Sequence, residues 1–226
     1  MGKLCLVATP IGNLGDISLR ALETLRTADF VACEDTRHTL KLLTHYEIRK
    51  PLLSFHANDE ERGAARILGL LAEGKTIAYC SDAGTPGISD PGALIARRAR
   101  EAGHEVTSLP GSSAFAALVS ASGFGGRSFL FDGFPSPKPG KRRSRVEELM
   151  SREESFVLYE SPHRIRKLLA DVAAVDPGRR VCVGREMTKL HEEFAVGRAD
   201  ELLERFSGAE EPRGEFAVLV AGAEKA

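Results

Sequence analysis

Cysteine is scarce in this chain and is not arranged for pairing. The four, Cys5, Cys33, Cys80 and Cys182, lie far apart in 226 residues, and three sit inside apolar runs. That pattern suits buried thiols in a reducing compartment and excludes a disulfide framework. A chain of this length buries roughly 70% of its unfolded surface and needs no covalent staple. The six histidines form no helical pair with a third ligand, so no metal is expected. No apolar run approaches the roughly 20 residues that span a bilayer, and no basic region precedes a long apolar stretch at the N-terminus. A cytoplasmic protein without a membrane segment is expected. Excess charge is missing too: 31 basic residues face 32 acidic ones, so the whole chain does not advertise a polyanionic partner.

Several common motifs are also absent. Glycines follow the first apolar run, but Gly12 and Gly15 do not have the G-x-G-x-x-G spacing of a dinucleotide fold, and no P-loop Gly-Lys-Ser/Thr follows. The Gly-x-Ser-x-Gly turn of a serine hydrolase is not found. Neither an internal repeat nor a low-complexity tract stands out.

What the chain does contain is a sequence of short apolar runs, each ending in a polar, small-residue loop. The most informative is Ser81-Asp82-Ala83-Gly84-Thr85-Pro86-Gly87-Ile88-Ser89-Asp90-Pro91-Gly92, between the strand pattern Thr76–Cys80 and a helical pattern from Ala93 to Ala102. Strand, small-residue loop and helix is how α/β proteins build a ligand site at a strand's carboxyl end. Glycine and proline set unusual dihedrals there and expose backbone N–H and C=O groups to a ligand. Asp90 has a structural role available, as an N-cap followed by proline at the first helical position. Asp82 has none and is the functional choice.

Strands are also expected at residues 4–8, 30–33, 52–55 and 105–109. Helices follow, one capped by Ser18, one capped by Thr36 and one running from Glu60 to Glu73. This βαβαβαβαβα order predicts an α/β fold with a mainly parallel sheet and helices on both faces. Its loops at 9–16, 34–38, 81–90 and 110–113 should line one sheet edge. Composition changes near Ser122–Arg127, dividing the chain into an N-terminal domain, 1–121, and a C-terminal domain, 122–226. The second half has a different rhythm and predicts a mixed sheet. It should hold a helix from about Arg143, a cap-then-proline start at Ser161-Pro162, and adjacent strands at 192–196 and 216–221. Lys138, Lys141, Arg142, Arg143 and Arg145 bring five positive charges together with no acid among them. They form either a solvated loop or a phosphate-contacting patch.

Five blocks carry a family resemblance: residues 8–16, Glu34-Asp35-Thr36-Arg37-His38-Thr39, Ser81 through Gly92, Glu160-Ser161-Pro162-His163-Arg164 and Arg185-Glu186-Met187-Thr188-Lys189. In this order they resemble the ribosomal RNA small subunit methyltransferase I family, the ribosomal branch of the tetrapyrrole-methylase-like, class III S-adenosylmethionine methyltransferases. The resemblance implies two α/β domains with S-adenosylmethionine in the cleft between them, a homodimer, and 2′-O-methylation of a cytidine ribose in the decoding region of small-subunit rRNA. The substrate is then the rRNA or the 30S particle. By position, the cofactor contacts implied are Pro10, Asp82, Thr85, Ser113, Ala114, Tyr159, Gly184, Glu215 and Phe216. Ser112 stands where proline is more usual, and many relatives continue past the position of Ala226 into a helical extension.

Candidates for a proton acceptor are Asp35, Glu160, His163 and Glu186. Each has a structural alternative, such as an ion pair between Asp35 and Arg37 or backbone bonds to Glu160. Arg37, Arg164, Arg185 and Lys189, with Lys141, Arg142 and Arg143, are assigned to RNA phosphates, which guanidinium forks match well; the alternative is structural ion pairing with Glu34, Glu160 or Glu186. Aromatic residues, 6% of the chain, show no base-stacking strip, which favours a folded RNA surface over a bare strand. Two other functions compete. A tetrapyrrole methylase would use the same cofactor, but that branch favours Gly-x-Gly-Pro-Gly-Asp in the first loop, where Pro10-Ile11-Gly12-Asn13 stands here. A non-catalytic rRNA-binding assembly factor would bind RNA without methyl transfer.

Overall fold

The structure is a computed structural model that describes residues 1–56, 60–208 and 212–223. It contains two compact units, Met1–Ser113 and Ala114–Ala226.

The first unit alternates strand and helix: β1 (Lys3–Val7), α1 (Leu19–Thr27), β2 (Phe30–Cys33), α2 (Thr36–His45), β3 (Leu52–Ser54), α3 (Glu60–Ala72), β4 (Thr76–Cys80), α4 (Gly92–Glu101) and β5 (Glu105–Leu109). The five strands pair in the order β3-β2-β4-β1-β5, all parallel. Both faces are buried, so the strands read as nearly continuous apolar runs. Side chains alternate between two cores. Cys5, Val7, Val31, Cys33, Ala78 and Cys80 pack with Leu22 and Leu25 of α1 and Leu43 of α2. Leu4, Ala32, Leu53, Ile77 and Tyr79 pack with Ile67 and Leu71 of α3 and Ile95 of α4. From β1 the chain crosses past β4 to reach β2; from β4 it crosses past β1 to reach β5. Neighbouring strands therefore send their helices to opposite flanks and opposite faces. That is a topological switch point, where open α/β sheets bind ligands at the strands' carboxyl ends.

The second unit comprises α5 (Ala114–Ser122), β6 (Phe129–Gly133), α6 (Pro139–Met150), β7 (Ser155–Glu160), α7 (Ile165–Val175), β8 (Arg180–Arg185), β9 (Glu193–Arg198), α8 (Ala199–Phe206) and β10 (Phe216–Val220). Its sheet runs β6-β7-β10-β8-β9. Only β6 and β7 are parallel, and the other pairs are antiparallel, so the sheet is mixed as expected. Helices α6, α7 and α8 cover one face with Val146, Leu149, Leu168, Leu169, Val172 and Leu202. Helix α5 packs on β8, β9 and β10, which draws the boundary back to Ser113/Ala114 from the expected 121/122. A helix is assigned to the sheet on which it buries its apolar side, and chain position gives no warning of that.

Local expectations are corrected at several points. Strands β9 and β10 are not adjacent, because β8 lies between them. Helix α6 begins at Pro139, with proline in its first turn, so the basic residues 141–145 are helical. Asp35, not Thr36, caps α2. Helix α7 starts at Ile165, after a turn through Ser161-Pro162. Helix α4 starts at Gly92 with no side-chain cap, leaving Asp90 in the loop. All four cysteines are free and buried. No helix among the described residues is long and apolar enough to cross a membrane.

Candidate functional site

In the first unit the loops leaving the carboxyl ends of β1, β2, β4 and β5 are stitched to one another. Thr9 and Gly84 exchange backbone bonds at 2.9 and 3.0 Å. The buried Thr9 hydroxyl donates to the Ser81 carbonyl at 3.1 Å, and the Ser81 hydroxyl donates to Gly84 at 3.0 Å. Thr85 donates to the Ser112 carbonyl at 3.0 Å, tying the β4 loop to the β5 loop. Pro10 is buried beside the Thr9 bridge, while Thr85, Ser113 and Ala114 are half-buried. Gly84 has φ +82°, which favours a residue without Cβ, and a Cβ at Gly92 would lie 2.7 Å from the Asp90 carboxylate and 2.8 Å from the Gly87 nitrogen. Asp90 explains that crowding. Its carboxylate accepts the Gly87 N–H at 2.9 Å and the Gly92 N–H at 2.6 Å, closing the loop on itself.

Asp82 does have a structural partner. Its carboxylate accepts the Asp35 N–H at 2.9 Å, and the Asp82 N–H approaches the Glu34 carboxylate at 3.4 Å. The two acidic loops thus clasp each other across adjacent strands. Asp35 is drawn away from this clasp: it caps α2 through the Arg37 N–H at 2.8 Å and pairs with the Arg37 guanidinium at 2.8 Å. The hydrogen-bonded guanidinium holds the Asp35 carboxyl far below the usual carboxylate range, which makes Asp35 a poor proton acceptor. Burial pushes the Glu34 carboxyl up, and the charges of Asp82 and Asp90 add to the rise against partial relief from the Asp82 N–H.

In the second unit, Tyr159, Ala217 and Gly184 align across β7, β10 and β8. The Tyr159 hydroxyl accepts the Phe115 N–H at 2.9 Å in the first turn of α5. A Cβ at Gly184 would meet Met187 Sδ at 2.7 Å. Glu160, Phe216 and Arg185 form the neighbouring row, on the opposite face. Phe216 is therefore a core side chain packed on Phe206, while Ala217, which the sequence did not single out, shares the face of Tyr159 and Gly184. Glu160 is buried; its Oε1 accepts Arg164 at 2.7 Å and the Ser161 N–H at 2.7 Å, and its Oε2 has no partner among the described residues. Glu186 bonds Lys189 at 2.8 Å and the Glu215 N–H at 2.9 Å, and the Lys189 bond lowers its carboxyl from the usual value. Lys189 also reaches Glu215 at 3.0 Å. Arg185 pairs with Glu193 and donates to the Arg213 carbonyl. His163 is exposed in the turn before α7.

A family model for tetrapyrrole (corrin/porphyrin) methylases matches residues 3–203. The chain belongs to this family. Among its relatives, the ribosomal RNA small subunit methyltransferase I of Thermotoga maritima is 45% identical over 99% of this chain and 100% of its own. The protein of the same name from Borrelia garinii is 44% identical over 96% and 97%. The Bacillus subtilis relative is 41% identical over 98% of this chain and 76% of its own. Solved structures share the fold: the methyltransferase CobJ has a TM-score of 0.73 at 19% identity, covering 100% and 97% of the two chains. A uroporphyrin-III C-methyltransferase from Thermus thermophilus has a TM-score of 0.69 at 22% identity, covering 98% and 94%.

Members of this methylase family use S-adenosylmethionine as the methyl donor. The loops of the first unit fit that group. The donor carries a sulfonium and an ammonium, and Glu34, Asp82 and Asp90 give this sheet edge the complementary sign. Among the described residues no His/Cys/Asp/Glu group could hold a metal ion. The basic cluster on α6 is less uniform than its sequence. Arg142 is buried and bonds Asp171 at 2.6 Å, whereas the Arg143 side chain is 64% exposed with a longer approach to Asp171. Arg145 pairs with Asp132 and Glu148. Lys141 and Arg143 are the two of the assigned three that face solvent.

Proposed function

We propose that this methylase transfers a methyl group from S-adenosylmethionine to the 2′-oxygen of a cytidine ribose in the decoding region of small-subunit rRNA, as free RNA or in the 30S particle, and works as a cytoplasmic homodimer. The observation that carries the rRNA substrate is the 41–45% identity, over nearly the whole chain, to relatives named for that activity. The first loop supports it against a tetrapyrrole substrate, since Pro10-Ile11-Gly12-Asn13 lacks the glycine-rich sequence of the tetrapyrrole branch.

Bound S-adenosylmethionine supplies an electrophilic methyl carbon. The chain's own tasks are then to hold and align the ribose hydroxyl and to accept one proton. Pro10, Asp82, Thr85 and Ser113 of the first unit, and Ala114, Tyr159, Gly184 and the 215–217 segment of the second, are the proposed donor contacts. Alignment supplies up to roughly 7–11 kcal/mol in well-oriented model reactions, and a general base about 10²–10⁴-fold, so positioning outweighs any single acceptor. Of the four acceptors the sequence suggested, Asp35 and Glu186 are engaged by cations and Glu160 is shielded by burial and Arg164.

Incubating the protein with labelled S-adenosylmethionine and, separately, naked 16S rRNA, assembled small subunits and a uroporphyrinogen-type substrate tests the assignment. Label in ribose of either ribosomal substrate is expected. Label in the macrocycle, or RNA binding with no label, overturns it in favour of the two competing functions. For RNA contact, Lys141→Ala/Arg143→Ala should weaken binding and reduce the slope of log K against log salt by roughly 1–2, the release expected from two phosphate contacts. An unchanged slope assigns these side chains to solvent.

A further inference from the structure

We infer that Glu34, at the carboxyl end of β2, is the group that accepts the substrate hydroxyl proton. The inference rests on the methyl transfer proposed above. In the β2 and β4 loops the other acids are committed: Asp35 to Arg37 and the α2 cap, Asp82 to the Asp35 N–H, and Asp90 to the N–H groups of Gly87 and Gly92. Glu34 pairs with no cation among the described residues, and its one contact, from the Asp82 N–H, is long at 3.4 Å. It is half-buried, open enough to meet a ligand and enclosed enough to have lost part of its hydration.

A second observation points to the same place. Tyr79 is 0% exposed, and its hydroxyl has no hydrogen-bond partner among the described residues. Ala32 is its register partner across β2 and β4, and Glu34 lies two positions beyond Ala32, just past the end of β2. The charges of Asp90, Glu34 and Asp82 all act on that hydroxyl. A buried hydroxyl in the field of three carboxylates, with no bond among the described residues, is an unsatisfied polar group at this end of the sheet.

The step balances. As the substrate oxygen bonds to the methyl carbon, the carbon–sulfur bond breaks with its electron pair remaining on sulfur, and the hydroxyl proton passes to the Glu34 carboxylate. The charged groups acting on Glu34 are Asp82 and Asp90 from the β4 loop, and its own charge acts on the buried Tyr79 and Cys33. Because its folded-state carboxyl is raised, Glu34 favours the folded state fully below its unfolded pKa, and that contribution is lost as pH rises through the folded value.

Glu34→Gln separates function from structure. With 16S rRNA or small subunits, its kcat should fall about 10²–10⁴-fold, and the acid limb of the kcat–pH profile should disappear. Without any ligand, its melting temperature at pH 8 should equal or exceed that of the wild type. Glu34→Asp should retain part of the rate. Wild-type kcat in Glu34→Gln overturns the assignment, as does a lowered melting temperature, which would make Glu34 a structural residue whatever the substrate. Failure of the wild-type protein to label any ribosomal substrate instead overturns the proposed function.

Discussion

Arg142→Ala is expected to destabilise the second unit by about 3–5 kcal/mol, the range for removing one partner of a buried ion pair. In sequence Arg142 is one of five neighbouring cations; in the structure its side chain and that of Asp171 are 6% and 5% exposed, joining α6 to α7 at 2.6 Å. Alanine would leave the Asp171 carboxylate buried, with only the more distant and largely exposed Arg143 to answer it. Thermal unfolding should show a drop of roughly 6–20 °C. The control is Arg142→Met with Asp171→Leu, which removes both charges and should recover most of the loss, since apolar replacements of buried pairs are often neutral or better. A melting temperature within a degree or so of wild type for Arg142→Ala would show that the pair contributes nothing. Arg142→Ala and Lys141→Ala/Arg143→Ala should therefore separate cleanly, one changing stability and the other changing RNA binding.

Asp82→Ala should sharply weaken S-adenosylmethionine binding while the fold persists. Part of the loss comes from the clasp between loops. The Asp82 carboxylate accepts the Asp35 N–H at 2.9 Å, and losing a charged hydrogen bond costs about 1.5–3 kcal/mol, or roughly 10–150-fold if it all falls on the bound state. Direct contact with the donor would add to this. Asp82→Asn distinguishes the two contributions, because its amide oxygen can still accept from Asp35 but carries no charge. Near-native affinity in Asn with loss in Ala means that Asp82 acts by shaping the loop. Equal loss in both means that its charge meets the cationic donor. Native affinity in Asp82→Ala, measured by calorimetry, would remove Asp82 from the site.

Much of the first unit was legible before any coordinates. Its strands are buried on both faces and so appear as apolar runs such as Thr76–Cys80, and the runs of β1, β4 and β5 end in loops whose glycines and prolines stand out. The mixed sheet of the second unit followed from its different rhythm. Glu34 is the site residue the sequence left unassigned. It stands beside Asp35, and nothing in the order Glu34-Asp35 says which acid will be spent on capping α2 and pairing with Arg37.

By itself the sequence determined the α/β alternation, the loops at the strands' carboxyl ends and membership of a methylase family, because these depend on short-range periodicity and on motifs contiguous in the chain. Tertiary structure alone decided that α5 packs on the second sheet, that Arg142 points inward to Asp171, that Phe216 joins the core while Ala217 shares a face with Tyr159, and that Glu34 has no cation partner among the described residues. Each depends on which residues meet across distances of tens of positions. Burial and ion pairing are properties of those meetings, and a local pattern of residue types does not encode them.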